Sequence, residues 1–169
     1  VLGARVTQPP VNIERVWDYP RPPRLEPVTA RLRIVLGGIT IADTKTSTDT
    51  PYRVLETSHP PTYYLPRSAV LPSALVGAGG RSFCEWKGTA TYFDVVSNGL
   101  VRPRAAWTYE RPFPDFAALA GHVAMYAGPM DACLLDDEVV TPQPGGFYGG
   151  WITQNLVGPF KGDPGTTGW

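Results

Sequence analysis

A mainly β fold is what this sequence predicts, and three observations predict it. Proline and glycine number 19 and 18 among 169 residues, so regular elements must be short, with proline at roughly twice its usual frequency. The run Leu32-Arg33-Ile34-Val35-Leu36 sends Leu32, Ile34 and Leu36 to one face, and Gly37-Gly38 then supplies a two-residue turn into Ile39-Thr40-Ile41, a hairpin signal. Asn98-Gly99, a type I′ turn signature, sits between two runs of strand-forming residues. The many aromatic residues separate this composition from that of a disordered chain.

Residues 1–29 contain Pro9-Pro10, Pro20, Pro22-Pro23 and Pro27, which argue against regular structure. Trp17, Tyr19 and Leu25 need a dry surface, so an extended arm lying across the main domain is expected. After the first hairpin, polar residues 43–51 read as a loop and residues 52–56 as a short strand ending on Glu56. A second short strand holds Tyr63-Tyr64, beyond the Pro60-Pro61 corner. Residues 67–75 suit one or two helical turns closed by Gly77-Ala78-Gly79-Gly80, a run without the lysine–hydroxyl ending and helix of a phosphate-binding loop. Residues 82–96 read as the next β segment, returning after Asn98-Gly99 toward Trp107-Thr108-Tyr109.

Asp115 as a cap, with Phe116, Leu119, Ala120 and Val123 at helical spacing, predicts a helix; a strand over residues 122–126 is the alternative. Residues 130–140 suggest a hairpin turning at Asp136-Asp137. The glycine–proline tail of residues 142–169 carries Phe147, Tyr148, Trp151, Phe160 and Trp169, which call for packing. The expected organisation is one folding unit: an arm (1–29), a β domain (30–141) and a C-terminal extension (142–169). Trp86-Lys87-Gly88 is echoed by Phe160-Lys161-Gly162, too short a match to be a repeat.

Composition excludes several functions. With 15 basic and 15 acidic residues and no basic block, the footprint of a nucleic-acid binder is missing. Apolar runs fall far short of the ~18 residues that cross a bilayer, no signal peptide is visible, and the chain reads as cytoplasmic. Two cysteines and two histidines cannot make an all-cysteine zinc site, so neither a metal nor a cofactor is expected. For Cys84 and Cys133 a disulfide and a pair of small buried hydrophobes both stand, the second favoured in a reducing compartment.

The stretch Glu56, Pro61-Thr62-Tyr63-Tyr64-Leu65-Pro66, then Cys84-Glu85-Trp86-Lys87-Gly88-Thr89-Ala90-Thr91-Tyr92, then Ala106-Trp107-Thr108-Tyr109 resembles, in order and spacing, the DUF427 family. The resemblance covers about residues 32–126, and the two ends resemble extensions of actinobacterial members. It implies a small β-tent-like fold without zinc, in a bacterial family sometimes labelled nucleotidyltransferase-like. Two departures stand out: Glu85 takes the place where many relatives have proline, and Ala69 that of a frequent acid.

Within those motifs, Glu56 ends an apolar strand and needs a partner, for which Lys87 is the natural candidate. As a functional pair they would act as base and electrophile; as a structural pair they would join two strands. Tyr63 and Tyr64, adjacent in a strand, face opposite ways, so only one can line a pocket. Trp86, Tyr92, Trp107 and Tyr109 would form an aromatic wall beside it, suited to a flat heterocycle or a cation. Cys84 would be a nucleophile if Lys87 or a histidine activated it. Neither His59 nor His122 has triad spacing, and Asp43 and Asp136-Asp137 read as turn residues. The leading expectation is a domain that binds an unidentified small molecule between these aromatics, with Glu56 and Lys87 as polar anchors. The alternatives are an enzyme using Glu56, Lys87 and Cys84, and a structural or interaction module, as in a homo-oligomer.

Overall fold

The computed structural model describes residues 12–169; the Pro9-Pro10 part of the expected arm lies outside the described residues. In chain order the strands are β1 (Glu14–Arg15), β2 (Arg24–Pro27), β3 (Leu32–Leu36), β4 (Ile39–Asp43), β5 (Tyr52–Leu55), β6 (Thr62–Pro66), β7 (Leu75–Cys84) and β8 (Gly88–Ser97). They continue with β9 (Leu100–Thr108), β10 (His122–Met125), β11 (Ala132–Leu135), β12 (Glu138–Val139), β13 (Thr141–Pro142), β14 (Trp151–Ile152) and β15 (Leu156–Val157). Every helical segment among the described residues is a short 3₁₀ turn.

Two antiparallel sheets form the body. One has seven strands in the order β2-β5-β6-β10-β9-β8-β7, the other four in the order β12-β11-β3-β4. Both hairpins read from the sequence are present: Gly37 and Gly38 turn β3 into β4, and Asn98-Gly99, both at positive φ, turns β8 into β9. Alternation along the strands divides the side chains of the larger sheet between its two faces. Tyr63, Leu65, Val123 and Met125 pack with Leu32, Ile34 and Leu36 of the smaller sheet in one core, whereas Val54, Tyr64, Trp107, Tyr109 and Ala124 form a second cluster. Trp151 closes the first core at 1% exposure. Its indole N–H donates to the Met125 carbonyl at 3.1 Å, and its ring lies 5.3 Å from that of Tyr63.

The structure corrects three local expectations. The predicted helix after Asp115 is a 3₁₀ turn, Pro114–Leu119, with non-helical φ/ψ at Phe116 and no side-chain cap. Phe116 and Leu119 are buried because a three-residue period also suits a 3₁₀ turn. Gly121 then turns at φ +74° into β10, which realises the strand alternative. Gly77-Ala78-Gly79-Gly80 does not close the helical turns: it lies inside β7, which runs against β8 with a bulge between Ala78 and Arg81. The arm also has regular structure. β2 is an edge strand of the large sheet, where the missing N–H of Pro27 is tolerated, and β1 pairs in parallel with β15 of the extension.

A cluster of charges fastens the arm. Arg53, on β5, donates from Nη1 and Nη2 to the Glu14 carboxylate at 3.0 and 2.9 Å and from Nε to Glu26 at 2.6 Å; the Tyr19 hydroxyl also donates to Glu14. Burial alone would raise the Glu14 carboxyl, but the hydrogen bonds from Arg53 and Tyr19 outweigh it and hold the group below its ordinary value. Arg53→Met should therefore cost about 2–3 kcal/mol in urea unfolding, below the ~3–5 kcal/mol of breaking a fully buried pair because these side chains keep some solvent contact. Because the folded carboxyl is depressed, the contribution is full above the ordinary value of 4.5. The gap between wild type and variant should close as pH falls through the lower folded value.

Candidate functional site

The second aromatic cluster lies at a cleft of about 370 Å³. Three strands of the large sheet build its wall: Tyr64 comes from β6, and across β10 Trp107 comes from β9 and Tyr92 from β8, with Tyr92 opposite Trp107 in register. Tyr109 follows β9. Cys84 ends β7 and pairs with Gly88, so Glu85, Trp86 and Lys87 form the hairpin tip between them. Gly88 makes that turn at φ +110°, and the Lys87 carbonyl accepts from the Phe113 N–H at 3.0 Å. Glu56, Cys84, Trp86, Lys87, Tyr64, Tyr92, Trp107 and Tyr109 all line the cleft. Tyr63, the other member of the tyrosine pair, does not; strand alternation puts it in the inter-sheet core. Burial pushes the Tyr64 and Tyr109 phenols upward, so both are neutral hydroxyls.

The expected Glu56–Lys87 ion pair is absent, and Glu56 has other neighbours. Just past β5, its carboxylate lies 3.5 Å from Arg21 Nη2 and 3.5 Å from His59 Nε2. Arg21 reaches it from the arm while also donating to the Thr57 carbonyl at 3.0 Å. Lys87 instead stands with Nζ 5.8 Å from the centre of the Tyr109 ring.

His59, read from the sequence without a role, is a wall residue held by the extension. Gln143 accepts from the Gly150 N–H at 3.0 Å through Oε1, which fixes the amide orientation. Its Nε2 therefore donates to His59 Nδ1 at 3.2 Å and to the Lys161 carbonyl at 2.9 Å. With Nδ1 accepting, the neutral imidazole carries its proton on Nε2, toward Glu56. Burial first, then the charges of Lys161, Arg21 and Lys87, push the His59 pKa down to about 4. The approach to Glu56 is thus that of a neutral imidazole to a carboxylate, not an ion pair.

The extension completes the cleft with Phe147, Tyr148, Gly149 and Lys161. A Cβ on Gly149 would meet the Trp107 ring at 2.1 Å and one on Gly150 the Pro60 carbonyl at 2.5 Å, so the loop seats only with bare backbone there. Tyr126, also on the wall, donates its hydroxyl to the Phe147 carbonyl at 2.9 Å. Tyr126, Tyr148 and Lys161 escape a reading of the motifs because they lie outside them. The one signal was the echo of Trp86-Lys87-Gly88 in Phe160-Lys161-Gly162: both lysines line this cleft, both sit over tyrosine rings, and both are followed by glycine at positive φ.

Other candidates lie elsewhere. Cys133 is buried between the sheets, where burial pushes its thiol up to about 12, and both cysteines are free thiols. His122 is a satisfied core residue with ring nitrogens 2.7 Å from the Thr50 carbonyl and 3.1 Å from that of Ala120. A second hollow, of about 450 Å³, lies on the other side of the Tyr148-Gly149 segment with Arg104 as its one charged side chain; that guanidinium is already engaged by the Gly79 carbonyl and the Tyr92 ring. Among the described residues no three metal-ligating side chains cluster, and no helix is long and apolar enough to cross a membrane.

Residues 24–136, about two thirds of the chain, match the family described as a domain of unknown function, DUF427. No curated protein matches the sequence. The matched segment carries Glu56 and the aromatic wall; Gln143, Tyr148 and Lys161 lie beyond it.

The His59 environment is directly measurable. In an NMR titration its ring signals should move with a midpoint near 4, well below the ordinary 6.5. Since the unfolded chain binds that proton first, global stability should decline as pH falls from 6.5 toward 4, and His59→Gln should flatten that part of the profile.

Proposed function

The chain belongs to the DUF427 family, and from that premise we propose that its cleft binds a small, flat molecule between aromatic rings, with Lys87 and Glu56 as polar anchors. The observation that carries this reading is convergence: residues from four separated stretches, around 56–64, 84–92, 107–109 and 147–161, line one concavity. Its volume falls within the range of small-molecule sites, and a mainly aromatic lining with a few charged groups is the composition such sites have. Aromatic walls favour a planar ligand because stacked and edge-on contacts add to the burial of apolar area.

Titration with indole and naphthalene derivatives, followed by backbone amide shifts, tests it. Shifts are expected around the cleft, and Glu56→Gln and Lys87→Met should each weaken binding about tenfold, the worth of one charge-assisted hydrogen bond, in proteins that still unfold cooperatively. Unchanged affinity in both variants would sink the reading.

A second reading is catalysis at the same place, with Glu56 as general base, Lys87 stabilising developing negative charge and Cys84 as nucleophile. It is favoured by one observation, that all three side chains line the cleft. Iodoacetamide should then alkylate Cys84 much faster than the buried Cys133; an inert Cys84 removes the covalent version.

A further inference from the structure

We infer that the molecule taken by the cleft is a neutral planar heterocycle with an N–H and a carbonyl on its edge, as in a cyclic amide. Its N–H donates to Glu56 and its carbonyl accepts from Lys87 while the ring lies against the aromatic wall. This deepens the reading above and rests on it.

Each anchor keeps one side free. Arg21 Nη2 and His59 Nε2 both approach the same Glu56 oxygen, Oε2, at 3.5 Å. Among the described residues no donor reaches the other oxygen, Oε1. The atoms sealed from solvent without a partner are Arg33 Nε, Ser58 Oγ and Thr91 Oγ1, so Oε1 is open to an incoming donor. The Glu56 side chain is only 23% exposed, and an acceptor so far withdrawn from water gains more from a hydrogen bond than one fully in it. Lys87 is the complementary case. Its ammonium has three donors and no acceptor, and its one described contact is the Tyr109 ring, 5.8 Å away, which steers the charge without neutralising it.

The two free groups serve one part of the cleft. Lys87 is among the cations whose charge reaches His59, and the His59 ring lies 3.5 Å from Glu56. Opposite signs set so close select against a ligand with a net charge of its own. An anion seated on Lys87 would meet the Glu56 carboxylate, and a cation seated on Glu56 would meet Lys87 and Arg21. A neutral ring with a donor and an acceptor satisfies both groups with charge-assisted hydrogen bonds. The tyrosines of the wall add no charge, since Tyr64 and Tyr109 stay neutral, and their rings supply the flat contact.

Four probes of similar size separate donor, acceptor and charge: 2-quinolone, 1-methyl-2-quinolone, 2-naphthoate and 2-naphthamidine, titrated into the full chain and followed by cleft amide shifts. 2-Quinolone should bind about tenfold more tightly than its N-methyl derivative, which lacks the N–H, and more tightly than either charged probe. Glu56→Met should weaken 2-quinolone about tenfold and leave the N-methyl compound unchanged; a gap due only to the bulk of the methyl group would persist in this variant. Lys87→Met should weaken both quinolones about tenfold and preserve the ratio between them, which shows that the cleft is still formed. Equal binding of the two quinolones, a gap that persists in Glu56→Met, unchanged binding in Lys87→Met, or tightest binding of a charged probe overturns the cyclic-amide assignment and leaves the cleft a binding site. If no probe shifts the cleft resonances, the binding reading fails and this inference with it.

Discussion

The turn of residues 56–59 is the constraint on which the rest of the site depends. Ser58, at its centre, has φ +70°, is fully buried and has a hydroxyl without a partner. A non-glycine residue in the left-handed region and a desolvated, unpaired hydroxyl both oppose folding. The opposition is met by the backbone: the Ser58 N–H donates to the Val16 carbonyl at 3.0 Å, and the Ser58 carbonyl accepts from the Lys161 N–H at 2.9 Å. The Thr57 N–H donates to the Pro20 carbonyl at 3.2 Å. Arm and extension thus grip the same turn from two sides, and the side chains flanking Ser58, Glu56 and His59, are aimed by that grip.

Much of the architecture was legible in local sequence because local physics decides it. Alternation from Leu32 to Leu36 assigns that strand's core face, the glycine and asparagine–glycine turns assign two hairpins, and adjacency alone separates Tyr63 from Tyr64. The motif residues predicted to converge do line one cleft, apart from Tyr63. What was hidden is non-local. Phe116 and Leu119 satisfy helical and 3₁₀ spacing alike, and only the turn at Gly121 and the pairing of β10 between β6 and β9 decide against a helix. Lys87 looked like the partner of Glu56 because both sit in motifs, while the actual neighbour, Arg21, lies among prolines in the arm. Tyr148 and Lys161 join the site through contacts that no windowed pattern reports.

The site therefore has two sources. The family-matched segment supplies the sheet, the hairpin tip and the aromatic wall; the extension supplies Gln143, which orients His59, a bare-backbone loop that lies on Trp107, and a lysine. Packing joins them closely. Gly149 and Gly150 approach Trp107 and Pro60 at distances no side chain would permit, so the loop is matched in shape to the wall and does not merely cover it.

The parallel pairing of Glu14–Arg15 with Leu156–Val157 has a consequence in time. On a ribosome, the segment containing Ser58 emerges long before Lys161, and β1 has no strand partner until β15 is made, although β2 of the same arm can already pair with β5. Domains assemble from the N-terminal side as the chain grows, and contacts distant in sequence close slowly. The aromatic wall can form first, but the Ser58 carbonyl gains its backbone donor only when residue 161 has been added. A nascent chain of this protein therefore carries an open, unfinished cleft until residues 156–161 have been made, and the arrival of that segment is the event that shuts it.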